Sequence, residues 1–286
     1  MAPHAPTAAH ASNAIESAQH LAHLRELGLI GTRRNPAVVL LADDPARAAS
    51  PTVWKLHLVR HGQGFHNLLG DEYRERGVQF SARGDDRSAS NPYVRPEVWD
   101  PPLTALGRQQ AKALRPAARA LAPQLVLTSP LSRAASTAVL AFTHLLGTVP
   151  FMAIEAAREQ MGVHTCDARN PLDDLRRDFP QLDCSQMADG PDDDALWSAT
   201  ERETPAAVCE RAHQLMLWLR ARPEREVAIA THSAFLFMLL NAVLEPDGDA
   251  PDGGAPAGEG VRAWFATGEM RTICISFVDR DERERQ

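Results

Sequence analysis

The hydrophobic pattern divides the chain near residue 50. Before that point the sequence is rich in Ala, His and Pro, and SNAIESAQHLAHLRELG (12–28) is the stretch with helical spacing. Ser12 is positioned as its N-cap and Gly28 as its end. Residues 1–50 therefore read as a peripheral N-terminal arm, partly helical or mobile. From Val53 onward short apolar runs alternate with longer segments of helical period. VWKLHLV (53–59), QLVLT (124–128), EVAIATH (226–232) and TICISFV (272–278) read as strands. TALGRQQAKALRPAARALA (104–122), LSRAASTAVLAFTHLL (131–146), TPAAVCERAHQLMLWLRAR (204–222) and SAFLFMLLNAVL (233–244) read as helices. Thr104 caps the first of these, Pro116 is placed to bend or interrupt it, and Pro205 opens the third. Strands alternating with helices predict an α/β three-layer sandwich: a largely parallel central sheet with helices on both faces.

Three segments interrupt this alternation. They are a polar insertion at about 73–98, the acidic DGPDDDALW (189–197) and the Pro/Gly-rich EPDGDAPDGGAPAGEG (245–260). The Asp run reads as a solvated face, and residues 281–286 form a charged tail.

Composition narrows the possible partners. With 44% apolar residues in 286, the chain can bury a sizeable core. A net charge of −7 leaves no general basic field, so nucleic acid and anionic membrane surfaces are not expected partners. An anionic substrate would need a locally positive pocket. The four cysteines (Cys166, Cys184, Cys209 and Cys274) form no C-x-x-C pair, against both a zinc ribbon and a disulfide framework. A reducing compartment follows, with no apolar run of membrane-spanning length, and the expected localisation is cytoplasmic. Glu16, Glu26, Asp43 and Asp44 make the arm a poor match to an acidic-poor transit peptide.

The candidate chemistry lies at strand ends. LHLV stops on Arg60-His61-Gly62, QLVLT is followed by Ser129 and then Arg133, and VAIAT stops on His232-Ser233. Ligands of open α/β sheets bind outside the carboxyl ends of the strands, so these ends are expected to converge. Two arginines and two histidines around one point suit the oxygens of a phosphoryl group.

Five blocks in order carry a resemblance: Arg60-His61-Gly62 with Asn67, WDPPLTALGRQQA (99–111), TSPLSRAASTA (128–138), REQMGVHTCDAR (158–169) and Thr231-His232-Ser233. Over about 53–278 the chain resembles the histidine phosphatase superfamily, the phosphoglycerate mutase-like proteins. RHGQGFHN with REQMGVHTCDAR is most similar to their plant and fungal branch. The resemblance implies a domain over 51–280, with His61 as the nucleophile that takes the phosphoryl group. It implies that Arg60, Arg133 and His232 complete the phosphate pocket and that Glu159 protonates the leaving oxygen. Asn67 and Ser233 join the substrate-binding set, with helix capping the alternative for Asn67 and Gln63. The chemistry agrees, since a neutral imidazole has a lone pair to attack with and guanidinium charge disfavours imidazolium. Cations around a loose, metaphosphate-like transition state leave no metal or cofactor to be required.

The implied function is hydrolysis of phosphomonoesters of a small phosphorylated metabolite. The alternatives are a phosphomutase, or a phosphate-ligand-binding or scaffolding protein without turnover. His164 and Cys166 have metal-ligand types but, as a single pair, read as structural or substrate-facing. His57 and His66 read as packing or surface residues. Many relatives carry Glu-Thr after RHG, whereas this chain has Gln63-Gly64 and so no hydroxyl there.

Overall fold

The computed structural model describes residues 8–41, 50–82, 84–187, 193–247 and 260–280. Among them, seven strands form one sheet: β1 (Ala37–Leu40), β2 (Val53–Arg60), β3 (Leu125–Thr128), β4 (Phe151–Ala153), β5 (Glu226–Thr231), β6 (Leu244–Pro246) and β7 (Met270–Val278). Their order is β4-β3-β5-β2-β7-β1-β6. β2, β5, β3 and β4 run parallel, whereas β7 is antiparallel to both β2 and β1. The sheet is thus largely parallel, as the alternation of elements predicts.

Alternate residues of each central strand enter different apolar layers. Leu125 and Leu127 join Leu56, Leu58, Val227 and Ile229 on one face, while Val126 joins Val59, Ala228 and Ala230 on the other. The first face is covered by helices α1 (Ala8–Glu26), α7 (Pro205–Arg220) and α8 (Ser233–Met238). The second is covered by α5 (Ser132–Ala141) and its neighbours α3 (Ala105–Ala113) and α4 (Arg115–Ala118). β2 is buried on both faces, and its sequence VWKLHLVR is mostly apolar, with Lys55 and His57 the polar residues before Arg60. Within it, buried His57 is satisfied by Thr272 Oγ1 at 2.9 Å and Glu226 Oε1 at 3.0 Å, a packing role.

The expected capping and breaking hold in the central domain. Thr104 Oγ1 accepts the Gly107 N–H at 3.0 Å, and the helix expected over 104–122 breaks at Leu114, with Pro116 in the first turn of α4. Proline has no N–H to give the helix ladder, so a new helix begins there. Two further helices are α2 (Phe65–Glu75), directly after the RHG stretch, and α6 (Leu172–Asp178), whose Leu172 and Leu175 join the second apolar layer.

The reading of residues 1–50 as a peripheral arm is corrected here. β1 lies inside the sheet, with Val38 paired to both Leu244 and Phe277. Leu21 and Leu24 of α1 are buried in the larger core cluster. AVVL is too short to show a period, yet four apolar residues suffice to fill the gap between β7 and β6. α1 begins at Ala8, so Ser12 is an interior helical residue and not its cap; Gly28, at φ 67°, follows the helix as expected. Most of the Pro/Gly loop (248–259) and the tail (281–286) lie outside the described residues. No helix among the described residues is long and apolar enough to cross a membrane.

Leu24 is fully buried under this face of the sheet. Leu24→Ala should therefore lower unfolding free energy by about 2–5 kcal/mol in a denaturant titration. A loss below about 0.5 kcal/mol, the level of an ordinary surface substitution, would place α1 outside the cooperative core.

Candidate active site

The carboxyl ends of β2, β5 and β3 meet through the backbone. His61 N–H donates to Thr231 O at 3.0 Å, and Ser129 N–H donates to Ala230 O at 2.9 Å. The RHG turn then packs on the first turn of α3 with no room for side chains. A Cβ on Gly62 would lie 2.3 Å from Gly107 O, and one on Gly107 would lie 2.1 Å from Gln63 O. Both glycines are required by this close backbone approach. Gln63 tightens the same contact: its Oε1 accepts from Thr104 Oγ1 at 2.8 Å, and its N–H donates to Gln110 Oε1 at 2.8 Å.

His61 is 2% exposed. Its Nδ1 lies 2.7 Å from Gly62 O, and since a carbonyl only accepts, Nδ1 must carry the hydrogen. Nε2 is left with its lone pair and accepts from Arg133 Nε at 3.3 Å. Arg133, 1% exposed, also donates to Cys166 O at 2.5 Å and to Asp167 Oδ1 at 3.1 Å. Asp167 is clamped on its other oxygen by Arg202 at 2.8 Å. Burial alone would raise the Asp167 pKa, but Arg202 and Arg133 outweigh it and hold the carboxyl below its ordinary value. His232, fully buried, has its ring centroid 5.0 Å from that of His61, and its Nε2 lies 2.8 Å from Ser129 Oγ. Its Nδ1 is buried without a hydrogen-bond partner among the described residues. Arg60 donates to Phe265 O at 2.6 Å from the edge of the same strand end.

Glu159 stands beside His232, at the start of α8. Its oxygens accept the N–H groups of Ala234 (3.1 Å) and Phe235 (3.0 Å), with Ser233 Oγ at 3.4 Å. Arg211 fixes the approach to it by donating to the carbonyls of Ala156, Arg158 and Glu159. Of the expected site residues, the structure brings His61, Arg133 and His232 together, with Glu159 and Ser233 adjoining His232. Asn67 turns its Oδ1 to the Gly64 N–H at 2.9 Å, closing the first turn of α2.

The remaining blocks are bracing. Asp100 accepts from the N–H (2.8 Å) and Oγ (2.9 Å) of Ser132 and so fixes the start of α5, which carries Arg133. Arg158 is fully buried against Asp194, at 2.8 and 2.6 Å. The expectation that the Asp run is a solvated face fails at Asp194, because a buried guanidinium needs a carboxylate partner. His164 and Cys166 are both engaged locally: Asn91 Nδ2 lies 3.4 Å from His164 Nε2, and Cys166 Sγ lies 3.6 Å from Asp167 Oδ1.

The chain is similar to several known proteins. A family model described as "Histidine phosphatase superfamily (branch 1)" matches residues 97–253. An Arabidopsis thaliana "Phosphoglycerate mutase-like protein 1" is 32% identical over 258 residues, 79% of this chain and 81% of that protein. The chain belongs to the histidine phosphatase superfamily. A second Arabidopsis "Phosphoglycerate mutase-like protein" is 34% identical over 217 residues, covering 65% of this chain and 73% of its own length. A solved mycobacterial glucosyl-3-phosphoglycerate phosphatase aligns over 79% of this chain and 98% of its own, at 21% identity and a TM-score of 0.43.

Sequence reasoning did not single out Asp167, Arg202 or Asp194, and it set His66 aside. His66 is buried, with its ring centroid 5.6 Å from that of His61. Gly64 was the available signal, since a glycine beside a histidine at a strand end leaves room for the ring.

Burial first, and then the charge of Arg133, holds the pKa values of His61, His66 and His232 well below the ordinary histidine value. Burial also lowers His57, and with Arg202 it brings His164 down to about 4. Each ring binds its proton more readily in the unfolded chain, so its stabilising contribution is full above about pH 6.5 and is lost as pH falls. Unfolding free energy should therefore drop by more than about 2 kcal/mol between pH 7 and pH 5. A flat profile over that window would mean that these rings are solvated in the native state.

Proposed function

We propose that this chain hydrolyses phosphomonoesters of a small phosphorylated metabolite through a phosphohistidine on His61. The observation that carries the reading is the His61 tautomer: Nδ1–H is committed to Gly62 O, and the Nε2 lone pair faces the Arg133 guanidinium. In the first step Nε2 attacks phosphorus, a P–N bond forms and the bond to the leaving oxygen breaks. Glu159 gives that oxygen its proton. In the second step water attacks phosphorus, its proton passes to Glu159, and the P–N bond breaks to release phosphate and neutral His61. Arg60, Arg133 and His232 hold the non-bridging oxygens, so their charge and N–H groups do the work otherwise assigned to a metal. Ser233 and Asn67 complete the binding set, Asn67 by holding the loop that carries Gly64.

A phosphomutase is the second reading, favoured by the phosphoglycerate mutase-like names of the relatives. There the phosphoryl group returns from His61 to another hydroxyl of the substrate. Products from a phosphoglycerate separate the two: inorganic phosphate for hydrolysis, the positional isomer for mutase action.

Replacing His61 by Ala should abolish release of phosphate from both aryl and alkyl esters. Glu159→Gln should slow alkyl esters by ~10²–10⁴-fold and an activated aryl ester far less, because a good leaving group needs little protonation. EDTA should change neither rate. Wild-type turnover in His61→Ala, or turnover stopped by EDTA, contradicts the proposal.

A further inference from the structure

The geometry points to His66 as a third imidazole of the phosphate pocket, donating a ring N–H to a phosphoryl oxygen at the place opened by Gly64. This rests on the phosphoryl-transfer reading of the pocket. His66 is 6% exposed, and its Nδ1 is buried without a hydrogen-bond partner among the described residues. Buried polar atoms are almost always partnered, so an orphan nitrogen beside an anion-binding guanidinium signals a ligand atom to be supplied. The location is specific. A Cβ on Gly64 would lie 2.8 Å from both Cε1 and Nδ1 of His66 and 3.4 Å from Cδ of Arg133. Gly64, His66 and Arg133 therefore meet at one point, one ring contact away from His61. Any side chain at 64, a hydroxyl residue's included, would force the ring to shift from this place. Gly64 and His66 thus act as a pair, with the imidazole standing where a side chain at 64 would reach.

The ring is also held from behind. Tyr93 packs edge-on against it at 5.6 Å, and Tyr93 Oη would lie 2.7 Å from a Cβ on Gly70 of the same helix. The 73–98 segment is fixed in turn by Asn91, which donates to Ser81 O and Asp86 O. Burial, then Arg133, His61 and Arg60, keep the imidazole neutral, so it offers one N–H donor without adding charge to the pocket.

The test is calorimetric titration of the full-length protein with inorganic phosphate, read beside steady-state hydrolysis of an aryl phosphate. His66→Phe keeps the ring packing on Tyr93 and removes both nitrogens, whereas His66→Asn keeps a donor near the Nδ1 position. His66→Phe should weaken phosphate binding about tenfold or more and raise KM more than it lowers kcat. His66→Asn should stay within about threefold of wild type. Gly64→Ala should reproduce the His66→Phe loss, and combining Gly64→Ala with His66→Phe should add little, because both remove the same contact. Matching thermal unfolding of wild type and His66→Phe ties any loss to the nitrogen. Wild-type phosphate affinity in His66→Phe would overturn the inference while leaving His61-dependent turnover untouched. Turnover that survives His61→Ala would instead defeat the functional reading, with the phosphate titration still deciding His66.

Discussion

A buried guanidinium organises this molecule. Arg133 is sealed from solvent at the start of α5, and its charge must be met on every side. It meets the lone pair of His61, the carbonyl of Cys166 and the carboxylate of Asp167. Asp167 in turn draws in Arg202, while the next carbonyl contact ties Arg158 to the backbone of Asp167. Three distant parts of the chain, the RHG turn, α5 and the 158–169 stretch, are thereby fixed around one cation. Burial, reinforced by the same charge, keeps the neighbouring imidazoles neutral, which is the form a nitrogen nucleophile needs.

Much of this was legible in the sequence, for identifiable reasons. The central strands are short, mostly apolar runs ending on polar residues, so their existence and the convergence of their ends could be read directly. Thr104 and Pro116 are local signals and acted locally. What escaped depends on tertiary context. β1 is four residues with no period, and its place between β7 and β6 is decided by what the sheet lacks. Asp194 reads as one of three consecutive aspartates, and only the fold shows that Arg158 lies buried opposite it. The role of Asn67 stayed open between phosphate contact and capping because the two use opposite ends of one amide: Oδ1 takes the backbone N–H of Gly64 here, and only Nδ2 can donate to a phosphoryl oxygen.

Gln63-Gly64, which offers no hydroxyl after the RHG turn, is built into the packing on both sides. Gln63 turns away from the pocket to stitch the RHG turn to Thr104 and Gln110, and Gly64 admits the His66 ring against Arg133. The 73–98 segment, polar in sequence, is not a detached insertion at this point. Asn91 and Tyr93 bury themselves behind His66, so the segment most different in character from the sheet supports the wall of the site. The histidine phosphatase superfamily model matches residues 97–253, the part of the chain that carries Arg133, Glu159 and His232.

Nε2 of His61 is the proposed attacking atom, because Nδ1 is committed to Gly62 O. Rapid quench of the protein with a labelled phosphate ester, followed by mapping of the phosphoryl group, tests it most directly. The account predicts an acid-labile, alkali-stable adduct on Nε2 of His61 that is absent from His61→Ala. An acid-stable phosphoester, an adduct on Nδ1, or label that persists in His61→Ala would contradict it.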